Sequence, residues 1–459
     1  MKLTFHGAAS TVTGSRTLLE SSGKKILIDA GLFQGPKDLR MRNWVTSFKA
    51  STLDGVILTH AHIDHSGYLP RLVREGFNKP IWCSQATATL CRFMLLDSAK
   101  LQVEDADFAN RSGYSNHRPA EPLYTEKDVE RTLRLFQIVE DEEWFSISKS
   151  LQFRFFRAGH ILGSRFVQLA YPTENGSETI LFSGDLGNGR SKLIKPPQSP
   201  PQSDTVVLES TYGDRLLPRE KNLDEFADII NTTSRRGGVI VIPAFAVGRA
   251  QEVLQAIAQM QREELIDKIP VYLDSPMALE ATRAHLKYTD EIAFHPEDQW
   301  MNHPIDTDMF RALNGFEESI ALTQSNQPHI VISASGMVTG GRVMHHLKKR
   351  LPDALNAVIF VGFQAQGTKG QLLQSGEKDF RIHHEKVDVL ASIHTLQQFS
   401  AHADWQDSLD WIKQMPAPPH RIILNHGEKG SLEALRLKII ESFPGVEVTV
   451  PEHLSEVNL

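Results

Sequence analysis

Three imidazoles and a carboxylate fall within six residues of the stretch Leu58-Thr59-His60-Ala61-His62-Ile63-Asp64-His65-Ser66-Gly67. The preceding run Asp54-Gly-Val-Ile-Leu-Thr reads as a short apolar strand, which puts His60, His62, Asp64 and His65 on the turn that leaves its end. In an extended segment, alternation sets His60, His62 and Asp64 on one side. Imidazole nitrogen and carboxylate oxygen at that spacing suit Zn²⁺, which accepts both donor types and can keep one position open for water. A single histidine on an apolar face is ordinarily a core or solvated residue. Four donors packed this closely are better explained as ligands.

Ligand-type residues close other apolar runs as well. Lys25-Ile-Leu-Ile ends at Asp29, a carboxylate suited to receive a hydrogen bond from a ligand imidazole. Strands read at 151–156, 179–183, 205–209 and 420–425 deliver His160, Asp185, Glu209 and His426, and His402 precedes a helix that starts at Trp405. One zinc needs three or four donors, so His60, His62, Asp64, His65, His160, Asp185 and His426 together point to two metals sharing a bridging carboxylate. Two cations ~4 Å apart activate water and neutralise both the attacking and the leaving oxygen of an in-line displacement, and a phosphodiester uses such a clamp best. The leaving oxygen also needs a proton, and His402 paired with Glu209 is a donor of the right kind.

The elements that must position these groups differ along the chain. Up to about residue 211, short strands and glycine turns alternate with helices read at 84–109 and 125–136, and 110–121 reads as a loop with His117 at the surface. A proline-rich connector at 191–203 follows. From about 212 to 395, fully apolar strands (239–242, 269–273, 329–333, 357–361) alternate with helices such as 249–265 and 342–350, which predicts a mainly parallel sheet covered on both faces. Residues 396–459 return to the earlier style, with helices at 405–415 and 432–443 around the strand at 420–425.

Two glycine-rich turns in the middle segment, Ser335-Gly-Met-Val-Thr-Gly-Gly-Arg342 and Gly362-Phe-Gln-Ala-Gln-Gly-Thr-Lys-Gly370, set backbone N–H groups near helix starts, where anions bind, although an ordinary tight turn is the better reading of either taken alone. Neither is a P-loop. Arg249, Ser335, Arg342 and Lys369 are therefore the candidate contacts to a substrate phosphate, while Lys348 and Lys349 read as a solvated helix face.

The chain has 459 residues, long enough for two domains. Its net charge of −7 argues against a protein that coats nucleic acid non-specifically, without excluding a local basic groove. Two cysteines, Cys83 and Cys91, exclude a zinc knuckle or a disulfide framework, so metal chemistry rests on His, Asp and Glu. No run of 18 apolar residues occurs, and Met1-Lys-Leu-Thr-Phe-His-Gly lacks the apolar core of a secretory leader, so no membrane association and a cytoplasmic location are expected. Oligomeric state is not legible in the sequence.

The motif His60-Ala-His62-Ile-Asp64-His65 resembles the H-x-H-x-D-H signature of the metallo-β-lactamase superfamily, with Asp29, His160 and Asp185 similar to its other ordered motifs. Leu208-Glu209-Ser-Thr, Phe399-Ser-Ala-His402-Ala-Asp and Leu424-Asn-His426-Gly-Glu resemble the three additional motifs of the β-CASP nucleases. The resemblance spans nearly the whole chain. It implies an αββα sandwich built from 1–211 and 396–459, with a β-CASP domain of 212–395 inserted into it. It implies that His60, His62 and His160 bind one Zn²⁺, that Asp64, His65 and His426 bind the other, that Asp185 bridges them, and that Asp29 supports a ligand. Asp64, Glu209 and His402 would carry the catalysis, with Glu209 orienting His402. The implied activity is a zinc-dependent ribonuclease, acting on single-stranded RNA in processing or decay; His426 favours RNA over DNA, since DNA-acting members tend to carry a non-ligand there. Where the family's turn at Gly367-Thr-Lys-Gly often continues with Arg, this chain has Gln371, which weakens the turn as a strong phosphate contact and leaves Lys369 as the one candidate to substitute. A catalytically weak RNA-binding scaffold and a (thio)ester hydrolase of the same fold are the alternatives.

Overall fold

Strands that are apolar on both faces must be covered on both faces, and the run Thr205–Glu209 shows how this chain does it: Val207 points into one core and Val206 and Leu208 into another. The computed structural model describes residues 1–112, 119–174, 176–219, 222–293, 306–307, 309–362, 364, 367–377, 379–382 and 385–459. The loop expected to carry His117 lies outside the described residues in its central part, His117 included.

Contacts divide the chain into two units, one of residues 1–189, 196–216 and 402–459, the other of 190–195 and 217–401. The first unit contains two seven-stranded sheets. One runs Glu456–Asn458, Lys2–Phe5, Thr17–Ser21, Lys24–Ile28, Gly55–Ile57, Ile81–Cys83, Phe136–Ile138, antiparallel at the first three pairings and parallel thereafter. The other runs Glu447–Thr449, Arg421–Asn425, Thr205–Glu209, Gly176–Phe182, Arg165–Thr173, Gln152–Arg157, Phe145–Ser146. Leu3, Phe5, Ile26, Ile28 and Ile57 of the first sheet meet Phe153, Phe155, Val167, Leu169 and Val207 of the second in one buried cluster. On the far side of the second sheet, Phe166, Leu181, Leu208 and Leu424 pack on Leu409 and Trp411 of helix Trp405–Ile412 and on Leu432, Leu435 and Ile439 of helix Lys429–Ser442. Helix Glu126–Leu133 packs on helices Leu69–Arg74 and Gln85–Ser112, and Gln85–Ser112 also touches the edge strand Phe136–Ile138. Phe136, read as the end of a helix, instead begins the edge strand Phe136–Ile138, because the helix stops at Leu133.

In the second sheet, strands Gln152–Arg157, Gly176–Phe182, Thr205–Glu209 and Arg421–Asn425 all run the same way, so their C-terminal ends open on one edge. In the first sheet, Lys24–Ile28 and Gly55–Ile57 are likewise parallel. These six strand ends supply the site described below.

The second unit is built on one sheet in the order Asp306–Thr307, Phe310–Ala312, Val271–Leu273, Ile330–Ser333, Ile240–Pro243, Ala357–Phe360, Ser392–Thr395, parallel except at its first pairing. Helices including Arg249–Arg262, Phe316–Gln324 and Val343–Arg350 connect the strands, and Val241, Val331, Val358 and Phe360 pack on Val343, Leu347 and Leu373. Among the described residues no helix is long and apolar enough to cross a membrane.

Candidate metal centre

Asp29 follows its strand in a left-handed backbone conformation (φ 59°). That turn aims both carboxylate oxygens at the next loop: Oδ1 accepts the Thr59 backbone N–H at 2.8 Å, and Oδ2 accepts the Thr59 hydroxyl at 2.9 Å and His65 Nδ1–H at 2.7 Å. The loop is tied down further by backbone bonds from Ala30 N to His65 O, Leu32 N to Ile63 O and Ser15 N to Asp64 O. Gly31 is required here, because a Cβ at this position would overlap the Asp64 carbonyl.

His60 Nε2, His62 Nδ1, His160 Nε2 and Asp185 Oδ2 converge. The separations are 3.2 Å from His60 to His62, 3.3 Å from His160 to His62, 3.4 Å from His60 to Asp185 and 3.5 Å from His160 to Asp185. Donors placed tetrahedrally around zinc at its usual Zn–N distance stand about 3.4 Å apart, so the spacing fits that ion. Imidazole nitrogens facing one another at this range cannot all be joined by hydrogen bonds; they face a common point. A second group consists of Asp64, His65 and His426, with 3.1 Å between the two Nε2 atoms and 3.7 Å between His426 Nε2 and Asp64 Oδ2. Asp185 Oδ1 lies 3.1 Å from His65 Nε2, yet it is buried without a well-aligned hydrogen bond. One Asp185 oxygen thus belongs to each group.

The electrostatics separate the two groups. Burial, reinforced by the neighbouring imidazoles, lowers the pKa of His60 and of His160 and pushes His62 down to about 3, which keeps their nitrogens unprotonated and able to ligate. His65 moves the other way: burial lowers it, but the Asp185 and Asp29 charges outweigh burial and hold it well above its ordinary value. Asp64 and Asp185 are both held below the usual carboxylate range, since the surrounding histidines outweigh their own desolvation.

His402 stands beside the first group, its ring 4.4 Å from that of His160. Its Nδ1 is 3.1 Å from both oxygens of Glu209, and its Nε2 lies 4.0 Å from Asp185 Oδ2. The His402 side chain keeps 18% of its surface exposed, against 2% for Glu209. Glu209 is also fixed by the Leu186 N–H at 2.6 Å.

All the residues named from sequence for metal binding and proton transfer therefore meet, with one correction. Asp64 does not share a side with His60 and His62, because the chain turns at His62 into a short helix, Ile63–Ser66, which carries Asp64 to the second group. Sequence reasoning passed over Thr59 and Thr211, whose hydroxyls touch Nδ1 of His60 (3.0 Å) and of His426 (3.2 Å); the available signal was a hydroxyl residue next to a ligand or within a motif.

The candidate phosphate contacts lie in the second unit. Arg249 is buried, donating from Nη1 to Glu252 at 2.9 Å and to the Phe399 carbonyl, and Arg342 donates to Asp274 at 2.7 Å and to two carbonyls. Both cations are held within their own unit. Ser335 is a partly exposed turn residue bonded to Thr339, and Lys369 is half-buried at the start of helix Lys369–Gln374, its pKa lowered by desolvation. The two glycine-rich turns touch through Gly370 N to Met337 O and Gln364 Nε2 to Gly336 O.

Family models match residues 12–224 (metallo-beta-lactamase superfamily), 250–373 (Beta-Casp domain) and 386–451 (Zn-dependent metallo-hydrolase RNA specificity domain). The chain is 36% identical to Ribonuclease TTHA0252 of Thermus thermophilus over 95% of each chain. It is 32% identical to Transcription termination factor FttA of Methanothermobacter thermautotrophicus, covering 100% of this chain and 72% of that protein. Among solved structures, a protein of unknown function from Enterococcus faecalis V583 shares the fold, with a TM-score of 0.52 at 13% identity over 100% of this chain and 99% of that one.

Proposed function

Because the chain belongs to the β-CASP ribonuclease family of the metallo-β-lactamase superfamily, a class of metal-dependent hydrolases, we propose that it hydrolyses RNA phosphodiester bonds with two Zn²⁺ ions. His60, His62 and His160 would hold one ion and Asp64, His65 and His426 the other, with Asp185 shared. The observation that carries the reading is the near-tetrahedral spacing of 3.2–3.5 Å among His60, His62, His160 and Asp185 Oδ2, joined to the second group through Asp185 Oδ1. When bound, the ions would lower the pKa of a water and offset charge on the phosphate oxygens.

The chain's own groups do the rest. Asp64, ionised and partly exposed, orients the attacking water and takes its proton. Glu209 accepts His402 Nδ1–H, which turns Nε2 toward the substrate and stabilises the charged imidazolium. Nε2–H then gives its proton to the leaving ribose oxygen. The absence of any replaced ligand supports an enzyme over a silent scaffold. Single-stranded RNA in processing or decay, in the cytoplasm, is the substrate and setting we infer.

The test is His402→Ala with end-labelled single-stranded RNA. Removing a general acid costs roughly 10²–10⁴-fold in rate, while metal content by elemental analysis should stay at the wild-type value. Loss of metal from this variant would show that His402 is a ligand instead, and wild-type protein that binds RNA without cutting it would leave the scaffold.

A further inference from the structure

His426 is the one ligand candidate of the second group whose backbone adopts a left-handed conformation (φ 53°), and two hydrogen bonds hold it there: its N–H donates to Ala8 O at 2.9 Å and its carbonyl accepts Ser210 N–H at 3.2 Å. Gly427 lets Ser210 approach, since a Cβ there would meet the Ser210 carbonyl at 2.7 Å. With the backbone fixed, what remains to be set is the imidazole: which nitrogen carries the proton and which presents a lone pair.

We propose that Thr211 is the positioning residue that sets it. The Thr211 hydroxyl lies 3.3 Å from the carbonyl oxygen of His426 and 3.2 Å from its Nδ1. Nε2 is the nitrogen that faces the second group, so a ligating His426 carries its proton on Nδ1, and the Thr211 hydroxyl can accept from Nδ1–H while giving its own proton to the carbonyl, which can only accept. The proton therefore sits on Nδ1, and Nε2 offers its lone pair toward His65 and Asp64. The other acceptor near Nδ1, Asp185 Oδ1, is 3.6 Å away, beyond hydrogen-bond range. Thr59 repeats the device on the opposite side of the centre: its hydroxyl donates to Asp29 and so accepts from His60 Nδ1–H. Thr211 also ties this ligand to the proton-transfer pair, because its N–H reaches Glu209 Oε2 at 3.4 Å. The inference rests on the two-metal reading above and adds a residue to it.

The experiment titrates metal-free wild-type, Thr211→Val and Thr211→Ser proteins with zinc against a chromophoric chelator. Valine keeps the shape and removes the acceptor; the loss of a partner to a ligand histidine lowers affinity by roughly 10–100-fold. That loss should fall on one of the two ions, with Thr211→Ser within about threefold of wild type. Equal affinity in Thr211→Val overturns the proposal. Wild-type protein that binds fewer than two ions would instead refute the two-metal reading, so the failures are distinguishable. Should Thr211→Val not fold, ¹⁵N-histidine correlation spectra of the zinc-loaded wild-type protein decide: a proton on His426 Nδ1 is expected, and a proton on Nε2 overturns the proposal.

Discussion

Asp29→Asn is a one-atom change whose consequences reach both metal groups. Three donors converge on the native carboxylate: the Thr59 N–H on Oδ1, and the Thr59 hydroxyl and His65 Nδ1–H on Oδ2. An asparagine that keeps its oxygen toward the Thr59 N–H replaces Oδ2 with an NH₂ group, which faces two donors. The Thr59 hydroxyl must then turn around and donate to His60 Nδ1, and His65 Nδ1 must become an acceptor. Both changes move a proton onto the Nε2 that should face the metal. Flipping the amide only transfers the conflict to the Thr59 N–H. Losing one charge-assisted hydrogen bond in a site 2% exposed costs about 1.5–3 kcal/mol. At 1.36 kcal/mol per tenfold, that is roughly 10–150-fold in zinc affinity. Competition against a chromophoric chelator measures it directly. If Asp29→Asn holds zinc within threefold of wild type, the carboxylate does not orient these ligands and the reasoning fails.

Three more outcomes follow from the same geometry. Asp185→Ala removes an oxygen from each group, so elemental analysis after desalting should find less than half the wild-type metal, and full occupancy would contradict a shared carboxylate. Gly31→Ala drives a methyl into the Asp64 carbonyl, so it should displace the Ile63–Ser66 turn and lower metal content while the second unit's unfolding transition is unchanged. His329 in the second unit is pushed down to about 4 by burial, so it is neutral when folded and protonates on unfolding below its ordinary value of 6.5. Stability should thus fall as pH drops from 6.5 toward 4, at up to about 1.4 kcal/mol per pH unit from this group. Urea titrations of His329→Phe should show a shallower decline; an unchanged slope would mean the acid sensitivity arises elsewhere.

What could be read from residue order was whatever depends on local pattern. The apolar runs ending at Asp29, Glu209 and Asn425 are strands, and the ligand-type residues at those ends face one another. The position of Asp64 was misread because extended and helical continuations of His62 are equally compatible with the local sequence. The choice is made by Ser15, Ala30 and Leu32, whose N–H groups bond to carbonyls of the turn. Strand Arg165–Thr173, the longest of the second sheet, escaped notice for a related reason. It ends near Pro172 and carries the polar Arg165 and Gln168 in buried positions, and Gln168 is satisfied by Arg154 on the neighbouring strand and by Gln202 and Ser203, all distant in sequence. The phosphate candidates were chosen for charge and proximity to glycine turns. Neither property could foretell that Arg342 is engaged by Asp274.

A sheet that pairs Thr205–Glu209 with Arg421–Asn425 imposes an order of events during synthesis. His65 and His426 touch across 361 positions, and at 5–20 residues per second the ribosome needs roughly 20–70 s to travel from one to the other. Once Asp185 has been made, His60, His62, His160 and Asp185 are all present, while the second group still lacks His426 and Glu209 still lacks His402. The set of residues proposed for metal binding and proton transfer is therefore complete only when the chain has been made as far as His426.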